Sequence, residues 1–382
     1  MPTGPRFDSE TRVYNDRLSG VPVRQLTEHF AHSYHLYFTN SGWFDDGRKL
    51  LIGSDRGNAS NFYAIDLDDG SLRRLTDFAH ADPPKLTTAC VNPHKPEAYL
   101  WQNRELKALD LEDGRLRTLY RIPDGFKGNI LSCSADGEAV CTALNEDLSG
   151  RLRLQLDEGY IGMDDYYEAR PRCAILRIPT GGGEAQTLHE DDTWIGHVNT
   201  SPTRANLLSF CHEGPWRKVE QRIWMLDADT RRHWPLRRQT PEEAIGHEYW
   251  HADGVTVGYH GRHPDGRDPF FGHVRYDDSE KVEVAFPWGN GHIHSNDRNL
   301  VVGDDYSCVV LYRWNGQGYD PPRVLCEHRC SMHVQKLHVH PRLSPDGKQV
   351  LYTSDHTGYG QVYLVDIPPL DELPWYDDVK ER

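Results

Sequence analysis

Short apolar runs alternate with polar turns along most of the chain. The clearest unit, residues 44–76, reads FDDGRKLLIGSDRGNASNFYAIDLDDGSLRRLT. It predicts a turn, two strands joined by a loop, a DG turn and a third strand that ends in Leu-Thr. Residues 343–367, LSPDGKQVLYTSDHTGYGQVYLVDI, repeat the same order. Because few segments have helical periodicity, the pattern predicts an all-β fold.

Seven such units follow one another along the chain. Their turns are marked by Asp46, Pro93, Asp136, Pro202, Asp253, Asp297 and Asp346. A four-stranded unit of this size cannot bury both of its faces alone, so neighbouring units must stack. A β-propeller achieves this stacking radially and leaves only short edges. We therefore predict a seven-bladed β-propeller that forms a single domain over residues 1–382.

The two ends of the chain predict how the propeller closes. The last unit stops at VYLVDI without its final strand, and the N-terminal segment VPVRQLT belongs to no unit. We expect a strand at about residues 20–27 to complete the blade formed by about residues 339–367. The longest interval between units contains an insertion, residues 152–171, placed where it could cover one mouth of the channel.

Composition narrows the class of protein and its partners. The 40 aromatic residues, ten Trp, 19 Tyr and 11 Phe, argue against disorder. No apolar run approaches the length of a membrane-spanning helix, and the N-terminus resembles no secretory signal. We therefore expect a cytoplasmic protein without a membrane partner, whose eight cysteines are reduced thiols. The net charge of −15 and the lack of a basic stripe argue against nucleic acid.

A cluster of histidines near the C-terminus predicts a metal site. In HVQKLHVHPRLSPDG, His338 and His340 share one face if the segment is an extended strand, and Gln335 lies just before them. His292, in GNGHIHSND, occupies the matching position of the preceding unit. Three imidazoles and an amide oxygen suit Mn, Fe, Ni or Zn better than Ca. The alternative is that these are hydrogen-bonded polar side chains of ordinary strands.

A second group of polar residues recurs at one level of the neighbouring units. His212, Arg217 and Arg222 lie in SFCHEGPWRKVEQRIWMLD, His247 lies in GHEYW and His197 lies in WIGHVNTSP. Histidine, arginine and aromatic residues at one level describe a partly cationic funnel, which in an acidic protein favours an anionic small ligand. We predict His197, His212 and Arg217 as substrate-binding residues. The alternative is a solvated, charged connecting loop.

These segments resemble those of oligogalacturonate lyases, enzymes that degrade pectin by cleaving short galacturonate oligomers by β-elimination. The most specific stretches are FCHEGP with the Arg before Ile-Trp, GHEYW, and Q-x-x-H-x-H-P followed by PDG. The resemblance implies a cytoplasmic seven-bladed propeller with a divalent metal, usually manganese. It implies that His292, Gln335, His338 and His340 hold the metal. By the same resemblance Arg222 is the base and His247 a neighbouring functional histidine.

The chemistry of β-elimination leaves the choice of base open. The base must remove the proton at C5, α to the uronate carboxylate, while a metal stabilises the negative charge that develops. Arginine is a difficult base because its pKa exceeds 12. Either the site lowers the pKa of Arg222 sharply, or Arg222 stabilises charge and His247 is the base.

Three other functions compete with this one. A relative that cleaves another uronate, such as a rhamnosyl-glucuronate, would keep the metal and base but change the loops. HVQKLHVHP also departs from the Thr-His-Pro-His run that is more usual in the family. A non-catalytic propeller that binds an anionic glycan or a partner protein is the alternative from another class. A hydrolase with paired carboxylates is weaker, because only Glu213 and Glu248 lie at the level of the funnel.

Overall fold

Strands dominate the protein. A computed structural model describes residues 4–156, 159–264, 269–305 and 307–379. The strands of the first half are β1 Arg6–Phe7, β2 Arg12–Asn15, β3 Pro22–Gln25, β4 Ser33–Tyr34, β5 Trp43–Phe44, β6 Lys49–Ser54, β7 Asn61–Asp66, β8 Leu72–Arg74, β9 Pro84–Val91, β10 Glu97–Gln102, β11 Glu105–Asp110, β12 Leu116–Arg121, β13 Phe126–Cys133, β14 Ala139–Glu146, β15 Cys173–Pro179 and β16 Gln186–Asp191.

The second half continues the same pattern. Its strands are β17 Ile195–Thr200, β18 Leu207–His212, β19 Ile223–Asp227, β20 His233–Pro235, β21 Ala244–Trp250, β22 Thr256–Arg262, β23 Phe270–Arg275, β24 Val282–Ala285, β25 Ile293–His294, β26 Leu300–Asp305, β27 Cys308–Arg313, β28 Arg323–Glu327, β29 Arg342–Leu343, β30 Gln349–Ser354 and β31 Gln361–Asp366. The described helices are short, α1 Met163–Glu168 and α2 Tyr376–Val379, with three 3-10 turns at Arg56–Asn58, Gln335–Leu337 and Leu370–Glu372.

The strands form seven antiparallel sheets, one for each predicted unit. Blade 1 has the order β1-β8-β7-β6-β4, with β5 also paired to β6. Blades 2 to 6 are β9–β12, β13–β16, β17–β20, β21–β24 and β25–β28, and blade 7 has the order β2-β3-β31-β30-β29. The protein is a seven-bladed β-propeller, which confirms the predicted fold class.

Turn chemistry explains why the repeats were visible in the sequence. In blade 1 the N–H of Gly70 donates to the carbonyl of Asp66, and in blade 2 Gly114 donates to Asp110 in the same way. Both glycines have positive φ, 74° and 77°. L-residues with side chains rarely adopt this conformation, so the DG pair specifies the turn locally.

The N-terminal strand completes the last blade, as predicted. β3 pairs with β31 in an antiparallel register that joins Val23 to Val365 and Gln25 to Tyr363. The strand is shorter than the predicted residues 20–27. Two further pairings were not predicted. β2 adds an outer strand to blade 7, and β1 pairs with β8 of blade 1.

The insertion lies between β14 and β15 and carries α1. Asp157 and Glu158 fall outside the described residues. The ring of Tyr166, from α1, packs edge-on against Trp194 with centroids 4.9 Å apart. Its hydroxyl donates to the carbonyl of Glu146 over 2.7 Å. The expectation that this segment covers a channel mouth stays a prediction.

The chain divides into two compact units, each with its own core. Unit 1 contains Met1–Thr87 and Val284–Arg382, and unit 2 contains Thr88–Glu283. In unit 1 the stacked rings of Tyr352 and Tyr363 lie in the core of blade 7. The prediction of a single domain stays a prediction. Among the helices of the described ranges, none combines the length and apolarity needed to cross a membrane.

Candidate active site

Three histidines of unit 1 converge, as the sequence predicted. His292 precedes β25, and His338 and His340 follow the 3-10 turn Gln335–Leu337. One ring nitrogen from each lies within 4.8 Å of the other two. The ring centroids of His292 and His340 are 4.2 Å apart, and that of His338 is 5.5 Å from both. His292 and His340 are buried, while His338 is partly open to solvent.

The local backbone differs from the strand that was predicted for residues 335–340. Gln335 begins the 3-10 turn, and the strand of this segment, β29, starts only at Arg342. His338 is extended, but His340 has a φ of 43°, in the left-handed region. The carbonyl of Val339 still accepts the N–H of Thr353 over 3.1 Å. The prediction that His338 and His340 project from one face of a strand is therefore wrong, although the two imidazoles do meet.

The surroundings of these rings fit a divalent metal. Asp304 holds His292 by accepting its backbone N–H over 2.6 Å and lies 3.0 Å from ring Nδ1. Because Nδ1 makes this contact, Nε2 is the nitrogen that His292 would offer to a metal, the usual arrangement around protein metals. Nδ1 of His338 is buried and meets no hydrogen-bond partner within the described ranges. Burial, together with His292, lowers the pKa of His338 to about 4, so the ring is neutral as a metal ligand must be.

Gln335, the fourth predicted ligand, is half-buried at the start of its turn. Its role as a ligand stays a prediction. Neutral imidazoles are the donors that Mn, Fe, Ni and Zn accept, which agrees with the predicted class of metal. Asp304 was not predicted from the sequence. The register of β25 with β26, which pairs Ile293 with Gly303, places it beside His292.

Aromatic side chains pack around this group of histidines. The ring of Phe38 stacks on His340 with centroids 6.0 Å apart and lies 5.7 Å from His292. Tyr37 packs edge-on against His340 at 4.9 Å. On the other side His35 Nε2 lies 2.9 Å from the carbonyl oxygen of His340. The segment between β4 and β5 of blade 1 thus fixes the orientation of His340, and no motif in the sequence indicated this role.

In unit 2, Arg222 lies in a buried network of charges. Its Nε is 3.0 Å from Oε2 of Glu248, and its Nη1 is 2.9 Å from Oε1 of Glu213. His197 Nδ1 lies 3.2 Å from the other oxygen of Glu248. Arg222 is 3% exposed and Glu248 is fully buried. Both carboxylates were noticed in the sequence, but their contact with Arg222 was not expected.

These contacts keep Arg222 protonated. Burial lowers the pKa of Arg222, but Cys211 and the carboxylates of Glu213 and Glu248 outweigh burial and hold the pKa well above its usual value. Burial likewise raises the pKa of Glu248, yet the charge of Arg222 and the hydrogen bond of His197 hold it well below its usual range. The network therefore stabilises the guanidinium, which is the opposite of what a base requires.

His247 occupies a β-bulge with a histidine partner. The register of β21 with β22 shifts between Gly246 and Tyr249, and His247 has a φ of 53°. Its Nδ1 lies 2.8 Å from Nε2 of His260, on β22. One ring donates and the other accepts, so proton exchange between His247 and a substrate would involve the second nitrogen, Nε2. The ring of Trp216 packs edge-on against His247 at 6.0 Å.

The three predicted substrate-binding residues have different surroundings. His197 lies in a bulge of β17 and shares Glu248 with Arg222. His212 Nε2 instead lies 3.2 Å from Asp191, on the outer strand of blade 3. Arg217 is largely exposed and pairs with Asp164 of α1. The structure thus joins His197 to Arg222, whereas the substrate-binding roles of all three stay predictions.

Comparison with known proteins identifies the family. A family model described as oligogalacturonate lyase matches residues 1–321. The chain belongs to the oligogalacturonate lyase family. It is 27% identical to the oligogalacturonide lyase of Pectobacterium atrosepticum and 26% identical to the oligogalacturonate lyase of Dickeya dadantii. Each alignment covers 96% of this chain and 99% of the relative. Membership confirms the resemblance and the enzyme class, a lyase.

Solved structures of oligogalacturonate lyases have the same fold. A structure described as an oligogalacturonate lyase in complex with manganese superposes with a TM-score of 0.87 at 23% identity. The oligogalacturonate lyase of Vibrio parahaemolyticus superposes with a TM-score of 0.86 at 22% identity. Both comparisons cover 96% of this chain and 99% of the other. The family model ends before Gln335, His338 and His340, which lie in the part matched by the whole-chain relatives.

Proposed function

We propose that this member of the oligogalacturonate lyase family cleaves short oligogalacturonates by metal-dependent β-elimination, in the cytoplasmic degradation of pectin fragments. The observation that carries the proposal is the group of three imidazoles at His292, His338 and His340. Family membership supports the reaction class and the relatives' names support the substrate. The negative protein would otherwise repel a polyanion, so a local cationic site is needed.

A divalent ion, manganese by preference, would be held by His292, His338 and His340, with Gln335 as fourth ligand. The manganese complex of a solved oligogalacturonate lyase supports this choice of metal. When bound, the ion supplies a Lewis-acid charge that stabilises the carboxylate side of the reacting sugar. Asp304 orients His292 for this role through its two contacts.

We assign the base to His247 rather than to Arg222. A neutral imidazole accepts a proton readily, whereas Arg222 is kept charged by Glu213 and Glu248. His260 holds Nδ1 of His247, so Nε2 is the nitrogen that would take the C5 proton of the substrate. Arg222 then contributes positive charge beside an anionic substrate and fixes Glu248, which in turn holds His197.

The direct test is the rise in ultraviolet absorbance that accompanies formation of the unsaturated uronate. The purified protein is mixed with digalacturonate or trigalacturonate, with chelator and then with added manganese. A rise that chelator abolishes and manganese restores is the expected result. No rise, with metal bound in stoichiometric amount, would move the substrate to another uronate such as a rhamnosyl-glucuronate. No rise and no bound metal would favour a non-catalytic binding protein.

A further inference from the structure

Buried arginines in this protein are neutralised by carboxylates. Arg56 pairs with Glu10 over 2.7 Å, and Arg237 lies 2.5 Å from Glu243. Arg222 is held by two glutamates in the same way. A guanidinium that leaves water must be compensated, because an unpaired buried charge is costly. These pairs show how a buried guanidinium is compensated in this protein.

Arg342, which is partly buried, departs from this pattern. Its Nη1 donates to the carbonyl of Phe38, a neutral acceptor. Its Nε is buried and meets no hydrogen-bond partner in the described part of the chain. Because arginine stays charged at neutral pH, this guanidinium carries a positive charge for which the described residues supply no carboxylate partner.

The position of Arg342 connects it to the three histidines. It follows His340 by two residues, and it donates to the carbonyl of Phe38, whose ring stacks on His340 and approaches His292. Through Phe38, Arg342 is therefore linked to the packing around the three histidines.

A partly buried guanidinium without a described counter-ion has, at this place, the properties of an anion receptor. Its planar fork matches a carboxylate, and the two can form parallel, charge-assisted hydrogen bonds. We infer that Arg342 binds a uronate carboxylate of the substrate beside the three histidines and so helps to determine specificity for acidic sugars. This inference rests on the proposed function and adds a recognition residue to it.

The test measures binding rather than turnover. Manganese-loaded wild type and the variants Arg342→Gln and Arg342→Lys are titrated with galacturonate, which has no glycosidic bond to cleave, and with uncharged galactose. Loss of one charge-assisted pair predicts that Arg342→Gln binds galacturonate about ten- to a hundredfold more weakly. Arg342→Lys keeps the charge but not the fork, so its affinity lies between the two. Galactose binding stays unchanged.

Two controls separate recognition from folding. Arg313→Gln removes an exposed arginine of the same unit, paired with Asp320 and Asp371, and leaves galacturonate binding unchanged. Arg342→Gln retains its manganese and unfolds at a temperature no lower than wild type, because it removes a partly buried charge that has no described counter-ion. A marked loss of thermal stability would instead assign Arg342 to holding the backbone at Phe38, and would overturn the inference.

The remaining outcomes distinguish the inference from the proposed function. If wild type binds galacturonate and Arg342→Gln binds it equally well, the inference is wrong while the proposed function stands. If wild type neither binds galacturonate nor cleaves digalacturonate, both the proposed function and the inference are wrong. If wild type binds and cleaves, and only the Arg342 variants lose affinity, both are supported.

Discussion

Arg222 and Glu248 form a buried ion pair in which Nε lies 3.0 Å from Oε2. The arginine comes from the residue before β19 and the glutamate from β21, in adjacent blades. Glu248 is fully buried, and among the described residues its charge is compensated by this guanidinium and by the contact with His197. The pair explains why Arg222 is better suited to hold charge than to accept a proton.

Replacement of Glu248 by Gln should be strongly destabilising. The change keeps the shape of the side chain but leaves Arg222 with Glu213 as its one charged partner within the described ranges. We expect the free energy of unfolding, measured in urea, to fall by about 3 kcal/mol. Glu327→Gln, which weakens a pair with the exposed Arg17, should cost less than about 1 kcal/mol. Equal costs for the two variants would show that burial does not govern the pair.

Removal of the imidazole of His247 should abolish elimination without removing the metal. His247→Gln is expected to lower kcat about 10²- to 10⁴-fold, the usual contribution of a general base. Manganese content, measured on the purified protein, should equal that of wild type. The variant His260→Gln should lower kcat less and shift the pH profile, because it removes only the partner of Nδ1. Full activity in His247→Gln would return the role of base to Arg222.

The metal should depend both on the ligands and on the carboxylate behind them. His338→Ala is expected to lose manganese and activity together. Asp304→Asn keeps all three imidazoles but weakens the contacts that orient His292, so manganese affinity should fall about ten- to a hundredfold. Metal titration measures both effects. Asp297→Asn, an exposed turn residue of the same blade, serves as the control, and an equal loss there would exclude a specific role for Asp304.

Acid should remove the stability supplied by Glu243. Burial raises the pKa of this carboxyl, but the hydrogen bonds and charge of Arg237 outweigh burial and lower it from 4.5 to about 2. Because the folded-state pKa is the lower one, the stabilisation is complete above about pH 4.5 and is lost as the pH falls toward 2. Urea unfolding across this range should show wild type losing at most about 3 kcal/mol more than Glu243→Gln. A constant difference between the two proteins would contradict this assignment.

The sequence was most informative where structure is decided locally. A DG turn such as Asp69-Gly70 forces a left-handed residue whatever surrounds it, so the blades could be counted from their turns. The last unit lacks a strand, and the segment at residues 21–27 belongs to no unit. Together these two features predicted the pairing of β3 with β31. The histidine pattern predicted the group at His292, His338 and His340, even though the backbone there is a turn and not a strand.

By itself, then, the sequence determined the seven blades, their closure and the residue types of the candidate site. Only the tertiary structure decided the charge states within that site. Glu248 lies 26 residues after Arg222 and reaches it from the adjacent blade. Arg342 has no such partner in the described residues. The pKa of a side chain depends on burial and on charges brought from distant parts of the chain, and neither is written in the local pattern.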